Sequence, residues 1–195
     1  MKFHRRKSAQ NHICIGFPGI SFSDPDRFGL LALNTYLGTG MSSVLFQKIR
    51  EDKGIAYTIY AFADFFRDSG LMGIYFGAEK SRLHEALETT LKELTKVKRI
   101  RLKEDRLDKI KAQIKGNLTL ALESTSGRMS RLGRQELLAG KYMSLEDTLK
   151  KIDRIKADDI IECARRTFTR KGLTVVSLGP GTEDDLRQVD FSILN

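Results

Sequence analysis

The stretch from Gly38 to Tyr57, GTGMSSVLFQKIREDKGIAY, constrains the fold more than any other part of the 195-residue chain. Ser42 or Ser43 offers a helix cap, because a side-chain oxygen there accepts from the unpaired backbone N–H groups of a first turn. Leu45 and Ile49 then fall four apart on one helix face, with Phe46 beside them. Gly54 ends the helix, since glycine enters the left-handed region without steric cost. The run YTIYAFADFF that follows has the aromatic and β-branched content of a strand. Arg50 therefore falls in the last turn of a helix and Tyr57 near the start of a strand, and a short turn brings both to one end of a sheet. A cation and a phenol held on two rigid elements suit a peptide carbonyl and an oxyanion. The helix dipole alone also favours arginine at this position, and tyrosine is common in strands, so the spacing leaves a purely structural role open.

The rest of the chain builds around that unit. Residues 1–11 read as a loose, linker-like basic lead, and His12 to Phe17 as a first strand. Ser23-Asp24-Pro25-Asp26 announces a helix over FGLLALNTYL, with Phe28, Leu31 or Ala32, and Thr35 or Tyr36 on one side, stopping at Gly38. After the organising helix comes a hairpin, Ala56 to Phe66 and then LMGIYFGA, turned at Arg67-Asp68-Ser69-Gly70. Gly73 and Gly77 in its second strand either admit another backbone or a ligand, or relieve crowding against facing helices.

Leucine stripes mark the long helical middle: Leu83, Leu87, Leu91 and Leu94, then Leu107, Ile110, Ile114, Leu118 and Leu122. Gly116 inside the second of these suggests a tight helix crossing. Met129, Leu132 and Leu137 carry a third helix to Gly140, Ser144 caps a fourth, and Ala157 to Phe168 form a fifth with Ile160, Ile161, Ala164 and Phe168 inward. Leu173 to Leu178 read as a closing strand, and residues 182–195 as a tail that contributes little. The order, strand, two helices, hairpin, helices, strand, lacks regular alternation, so the fold class is α+β rather than a doubly wound parallel sheet.

Composition excludes more than it selects. Residues 1–195 suffice for one core and one domain, with no internal repeat or linker. No apolar run approaches the roughly 20 residues that cross a bilayer, and the N-terminal basic residues precede no apolar core of a signal peptide, so no membrane association is expected. Cys14 and Cys163 lie far apart in regular segments, which fits a reducing, cytoplasmic setting better than a disulfide scaffold. The net charge of +9 invites a nucleic-acid reading. Its densest region, residues 96–115, interleaves Glu104, Asp105 and Asp108 with Leu107, Ile110 and Ile114, the pattern of a solvated face on an amphipathic helix, so no nucleic-acid partner is expected.

The run LGTGMSSVLFQKIREDKGIAYTIYA resembles the C-terminal half of the zinc peptidases related to mitochondrial processing peptidase, pitrilysin and insulin-degrading enzyme. The resemblance rests on Gly38, Gly40, Met41 and Ser43, on Arg50 and Glu51 closing the helix, and on Gly54, Ile55, Ala56 and Tyr57 opening the strand. Ile55 stands where leucine is usual and Val44 where arginine is frequent. It implies a largely antiparallel sheet, of about four or more strands here, with helices packed on one face. It also implies a partner: a zinc-bearing N-terminal half of similar fold, which encloses a chamber for unfolded peptides together with this one. Arg50 and Tyr57 would then bind substrate and assist catalysis at the other half's zinc.

The chain has no zinc motif of its own. His4, His12 and His84 stand apart and none has an adjacent Glu-His or His-Glu pair, so no metal site and no cofactor are expected in this chain and it should be inactive alone. Cys163 lacks a nearby histidine and reads as a core residue. The abrupt start is similar to a linker cut through, which fits one half of a two-half enzyme. A non-catalytic peptide- or partner-binding subunit, as a homo- or heterodimer, is the alternative, and a basic nucleic-acid-binding domain a further one. If the charge is only a solvated face, duplex DNA should bind weakly, without sequence preference and with a steep salt dependence in a filter or anisotropy assay. Sequence-selective, sub-micromolar binding at physiological salt would overturn that reading.

Overall fold

The computed structural model describes residues 1–187 and 189–195, the side chain of Arg187 excepted. Five strands form one sheet in the order β1-β5-β2-β4-β3. They are β1 (Lys2–Arg5), β2 (Asn11–Pro18), β3 (Ala56–Phe65), β4 (Gly70–Ala78) and β5 (Thr174–Gly179). Only the edge pair β1–β5 is parallel; β5–β2, β2–β4 and β4–β3 are antiparallel. The helices are α1 (Arg27–Gly38), α2 (Leu83–Val97), α3 (Glu104–Ala121), α4 (Thr125–Ala139), α5 (Leu145–Asp153), α6 (Ala157–Thr167) and the short α7 (Glu183–Arg187). The α+β class, the antiparallel bias and the one-sided helical layer are as the sequence implied.

The sheet is two-faced because strand side chains alternate. Ile13, Ile15 and Phe17 of β2, Met72, Ile74 and Phe76 of β4, and Val175 of β5 are buried together. They pack with Leu30, Leu33 and Leu37 of α1, the leucine stripe of α2, and Ile160, Ala164 and Phe168 at α6. Each such side chain contributes about 1.5–3 kcal/mol on burial. The opposite face carries a half-open aromatic row in which Tyr60 tilts on Tyr75 at 5.0 Å and on Phe62 at 6.2 Å. His12 Nδ1 shares a 2.7 Å hydrogen bond with the Tyr75 hydroxyl there.

Several local expectations change in three dimensions. The lead is not loose throughout, since Lys2–Arg5 extend the sheet by pairing with Val176–Gly179. The tail contributes to the core, with Leu186, Val189 and Leu194 buried and Thr95 and Lys98 of the α2 end donating to the carbonyls of Ile193 and Leu194. In α1 Ala32, Thr35 and Tyr36 are buried as expected, but Leu30, Leu33 and Leu37 are buried as well, because the helix packs against both β3 and α6 and is covered on more than one side. Gly73 admits neither backbone nor ligand: a Cβ there would meet the cross-strand Phe62 ring at 2.2 Å. Gly77 makes room for the Gln10 side chain. Gly116 marks no helix crossing, as nothing lies within 4 Å of its would-be Cβ.

Helix α1 meets the sheet closely at Gly38, where a Cβ would sit 2.0 Å from the Ala61 nitrogen. That obstacle is backbone and cannot step aside, so Gly38→Ala is expected to destabilise the fold by at least about 1–3 kcal/mol, the ordinary range for overpacking. Gly116→Ala should instead stabilise by about 0.5–1 kcal/mol, the helix-interior preference alone. Urea unfolding of both variants checks the contrast; equal effects would refute the packing assignment.

Candidate active-site cleft

From Gly38 the chain turns through Gly40, whose φ of 82° requires glycine, into a loop pinned by α3. Gln113 donates to the Thr39 carbonyl at 2.9 Å and Arg106 to that of Ser42 at 2.5 Å. Ser43 is buried and makes no cap; the Ser43 carbonyl instead accepts from Gln47 N–H at 3.0 Å. Leu45 and Ile49 anchor the turn in the core, as their spacing predicts.

The organising helix is not α-wound over its C-terminal half. Phe46–Glu51 form a π-turn, in which Asp52 N–H reaches the Gln47 carbonyl at 2.8 Å, five residues back. π-turns are rare and recur at functional sites, since the extra residue per turn re-aims side chains. Gly54 closes the segment at φ 58°, as expected of the residue that ends this helix.

A second irregularity lies directly opposite. In the β3–β4 ladder Ala56 pairs with Ala78 but Thr58 pairs with Gly77, so Tyr57 is the extra residue of a β-bulge. Bulges bend a strand and redirect a side chain. Tyr57 is 74% exposed and its hydroxyl has no hydrogen bond among the described residues. The Arg50 guanidinium carbon stands 4.7 Å from the Phe46 ring centroid and 5.6 Å from that of Tyr57. Its single charged partner among the described residues is Glu51, at 4.0 Å.

Arg50 and Tyr57 thus meet, as the sequence suggested, at the wall of a cleft of about 440 Å³. Gln10, Glu51, Glu79 and Arg82 line it as well. Arg82 is committed: it donates to Glu85 at 3.0 and 3.1 Å and to the Lys53 carbonyl at 3.3 Å. Hydrogen bonds from Lys53 and Arg82 hold the Glu85 carboxyl below the usual carboxylate range. Arg50 and Tyr57, by contrast, make no side-chain hydrogen bond among the described residues, Arg50 keeping only its 4.0 Å contact with Glu51. Sequence reasoning missed Gln10, Arg82 and the role of Phe46 as the platform under Arg50. Gln10 and Arg82 come from distant segments, and no local pattern marks either one.

His4, His12 and His84 stay apart, and among the described residues no group of three or more His, Cys, Asp or Glu could hold a metal ion. The donor set for zinc is therefore not met among the described residues. Both cysteines are free. Burial, and secondarily the Asp26 charge, push the Cys163 thiol up to about 12. Among the described residues no helix is long and apolar enough to cross a membrane.

Residues 2–114 match the family described as the peptidase M16 inactive domain, and the chain belongs to that family. It is 39% identical over 166 residues to a protein named as an uncharacterized zinc protease in Streptomyces coelicolor, covering 85% of this chain and 36% of that one. A protein of the same description in Bacillus subtilis is 38% identical over 165 residues, covering 85% and 40%. The chain thus spans well under half the length of these relatives. Among solved structures, a peptidase M16 inactive domain from Pseudomonas fluorescens superposes with a TM-score of 0.82 at 19% identity, over 93% of this chain and 43% of that one. A chain of Candida albicans complex III superposes with a TM-score of 0.81 at 21% identity, over 98% and 47%. These two likenesses show the fold.

With its pKa near 12, Cys163 holds about one thiolate in 10⁴ at pH 8, and only the thiolate is nucleophilic. Labelling with a disulfide reagent at pH 8 should therefore be at least about 10²-fold slower for native Cys163 than for the urea-unfolded chain, assigned with Cys163→Ser. Rapid native labelling would reopen a role for this thiol.

Proposed function

We propose that this chain is the C-terminal half of a zinc endopeptidase, and that Arg50 and Tyr57 serve a zinc site carried by the other half. The observation that carries the reading is the pair of backbone irregularities, a π-turn under Arg50 and a bulge at Tyr57, that turn two unoccupied donors into one cleft. The zinc protease names of the relatives, and their greater length, support a zinc-bearing half beside this one. Such a half arrives in the same polypeptide or as a separate subunit, and the pair acts on unfolded peptide in the reducing cytoplasm.

Within that complex Arg50 holds a backbone carbonyl of the extended peptide, with two or more N–H groups in a fixed fork. Phe46 and Tyr57 keep the guanidinium in place from either side. Tyr57 donates its hydroxyl to the oxyanion that develops as water adds to the scissile carbonyl. This contact strengthens with the charge, so it acts on the chemical step, whereas Arg50 contacts ground and transition states alike.

Tyr57→Phe is expected to lower kcat by about 10²–10³ with little effect on folding, by analogy with other single oxyanion donors. Arg50→Ala should also raise KM. Steady-state kinetics and thermal midpoints of both variants, in the complex with the zinc-bearing half, check this. Full turnover in Tyr57→Phe would remove its catalytic role and favour a peptide- or partner-binding subunit.

A further inference from the structure

Gln10 stands in the bend between β1 and β2 with its backbone fixed and its side chain unused. Ser8 Oγ donates to the Gln10 carbonyl at 2.8 Å, and Arg6 N–H reaches the Gly179 carbonyl at 3.0 Å. On the other side Asn11 is fully buried, and its Oδ1 accepts from Gly181 N–H at 2.7 Å. The chain is thus pinned before, at and after this residue. The Gln10 side-chain amide, by contrast, makes no hydrogen bond among the described residues. It is half-buried and lines the cleft that holds Arg50 and Tyr57. Gly77 of β4 makes the place for it. Met72, Ile74 and Phe76 point into the core, so Gly77 belongs to the opposite face, and a Cβ there would stand 3.0 Å from the Gln10 Oε1. On that face His12 and Tyr75 satisfy one another at 2.7 Å. Gln10 is left with two donors and an acceptor open to the cleft.

We propose that Gln10 is a further substrate-binding residue of this cleft, one that hydrogen-bonds the backbone of the extended peptide at a second point beside the Arg50 contact. The inference rests on the functional reading above. The chemistry of the group selects its partner. A primary amide carries a donor and an acceptor side by side and no charge, which matches the N–H and C=O of a peptide unit rather than an ionised side chain. Every residue of a substrate presents that pair, so the contact is indifferent to sequence and fixes the register of the chain. A peptide gripped at one carbonyl still swings; held at two points on pinned backbone, it does not. No charge develops at the Gln10 contact during the reaction, so it serves ground and transition states equally and acts on binding. Gly77 acts through Gln10. A methyl group there meets only the tip of a flexible side chain, so it displaces the amide while the strand stays in place.

The probe is a short, blocked, uncharged peptide of alanine, serine and valine, titrated into the isotope-labelled chain and followed by NMR. The Gln10 side-chain signals are assigned by their loss in Gln10→Ala, and circular dichroism confirms that each variant is folded. The expected result is that the Gln10 side-chain amide and the Gly77 N–H shift in the same titration as the Arg50 Nε–H. Gln10→Ala should weaken binding about 3–10-fold, the worth of one ordinary hydrogen bond. Gly77→Ala should weaken it in the native chain and add nothing in the Gln10→Ala background, as two residues that act as one unit require. Gln10 signals that stay still at saturation, affinity unchanged in Gln10→Ala, a Gly77→Ala effect that persists without Gln10, or no peptide binding at all would each overturn the proposal. The functional reading fails separately. A peptide that moves Arg50 and Tyr57 but not Gln10 sinks this contact alone. Shifts at all three residues, with full turnover of Tyr57→Phe beside the zinc-bearing half, sink the catalytic reading and leave the Gln10 contact standing.

Discussion

The contact between Gly38 and the backbone of Ala61 sets the position of everything at the Arg50–Tyr57 end. Without a side chain at Gly38, α1 ends directly on β3, and its Leu33 and Leu37 reach the core. The chain then leaves the helix close above the strand that will carry Tyr57. Because close-packed interiors transmit displacement rather than absorb it, a shift here moves the loop, the π-turn and the cleft together. The loop itself is short of regular hydrogen bonds, and α3 supplies them through Gln113 and Arg106.

On that frame the cleft is made by two small departures from regular structure. Each inserts the equivalent of one extra residue, one in a helix and one in a strand, and each turns a side chain toward the same space. Both segments carry buried anchors: Leu45 and Ile49 at the turn, Ala56 and Ile59 in the strand. The two arginines of the cleft differ in how their donors are committed. Arg82 is consumed by Glu85 and the Lys53 carbonyl, while Arg50 is framed by two rings that orient its N–H groups without occupying them. The basic surface follows the same division. Among the described residues Lys48, Lys92, Lys96, Lys109 and Lys150 each pair with an acid three or four positions away along the chain, as on a solvated face.

The sequence by itself determined the order and kind of the elements, the antiparallel hairpin, the core stripes of α2, α3 and α6, and the pairing of Arg50 with Tyr57. These are legible because periodicity, caps and glycine punctuation act over a few residues, and because Gly54 fixes where one element ends and the next begins. Only the tertiary structure decided the rest. The strand in the lead depends on β5, about 170 residues away in the chain, offering an edge. The burial of the tail depends on α2, and the exposure of the α4 stripe on polar ties to the segment around Met143. The π-turn and the bulge are backbone adjustments that side-chain pattern does not encode. Local rules name the residues of the site, and long-range packing decides which of them face one another.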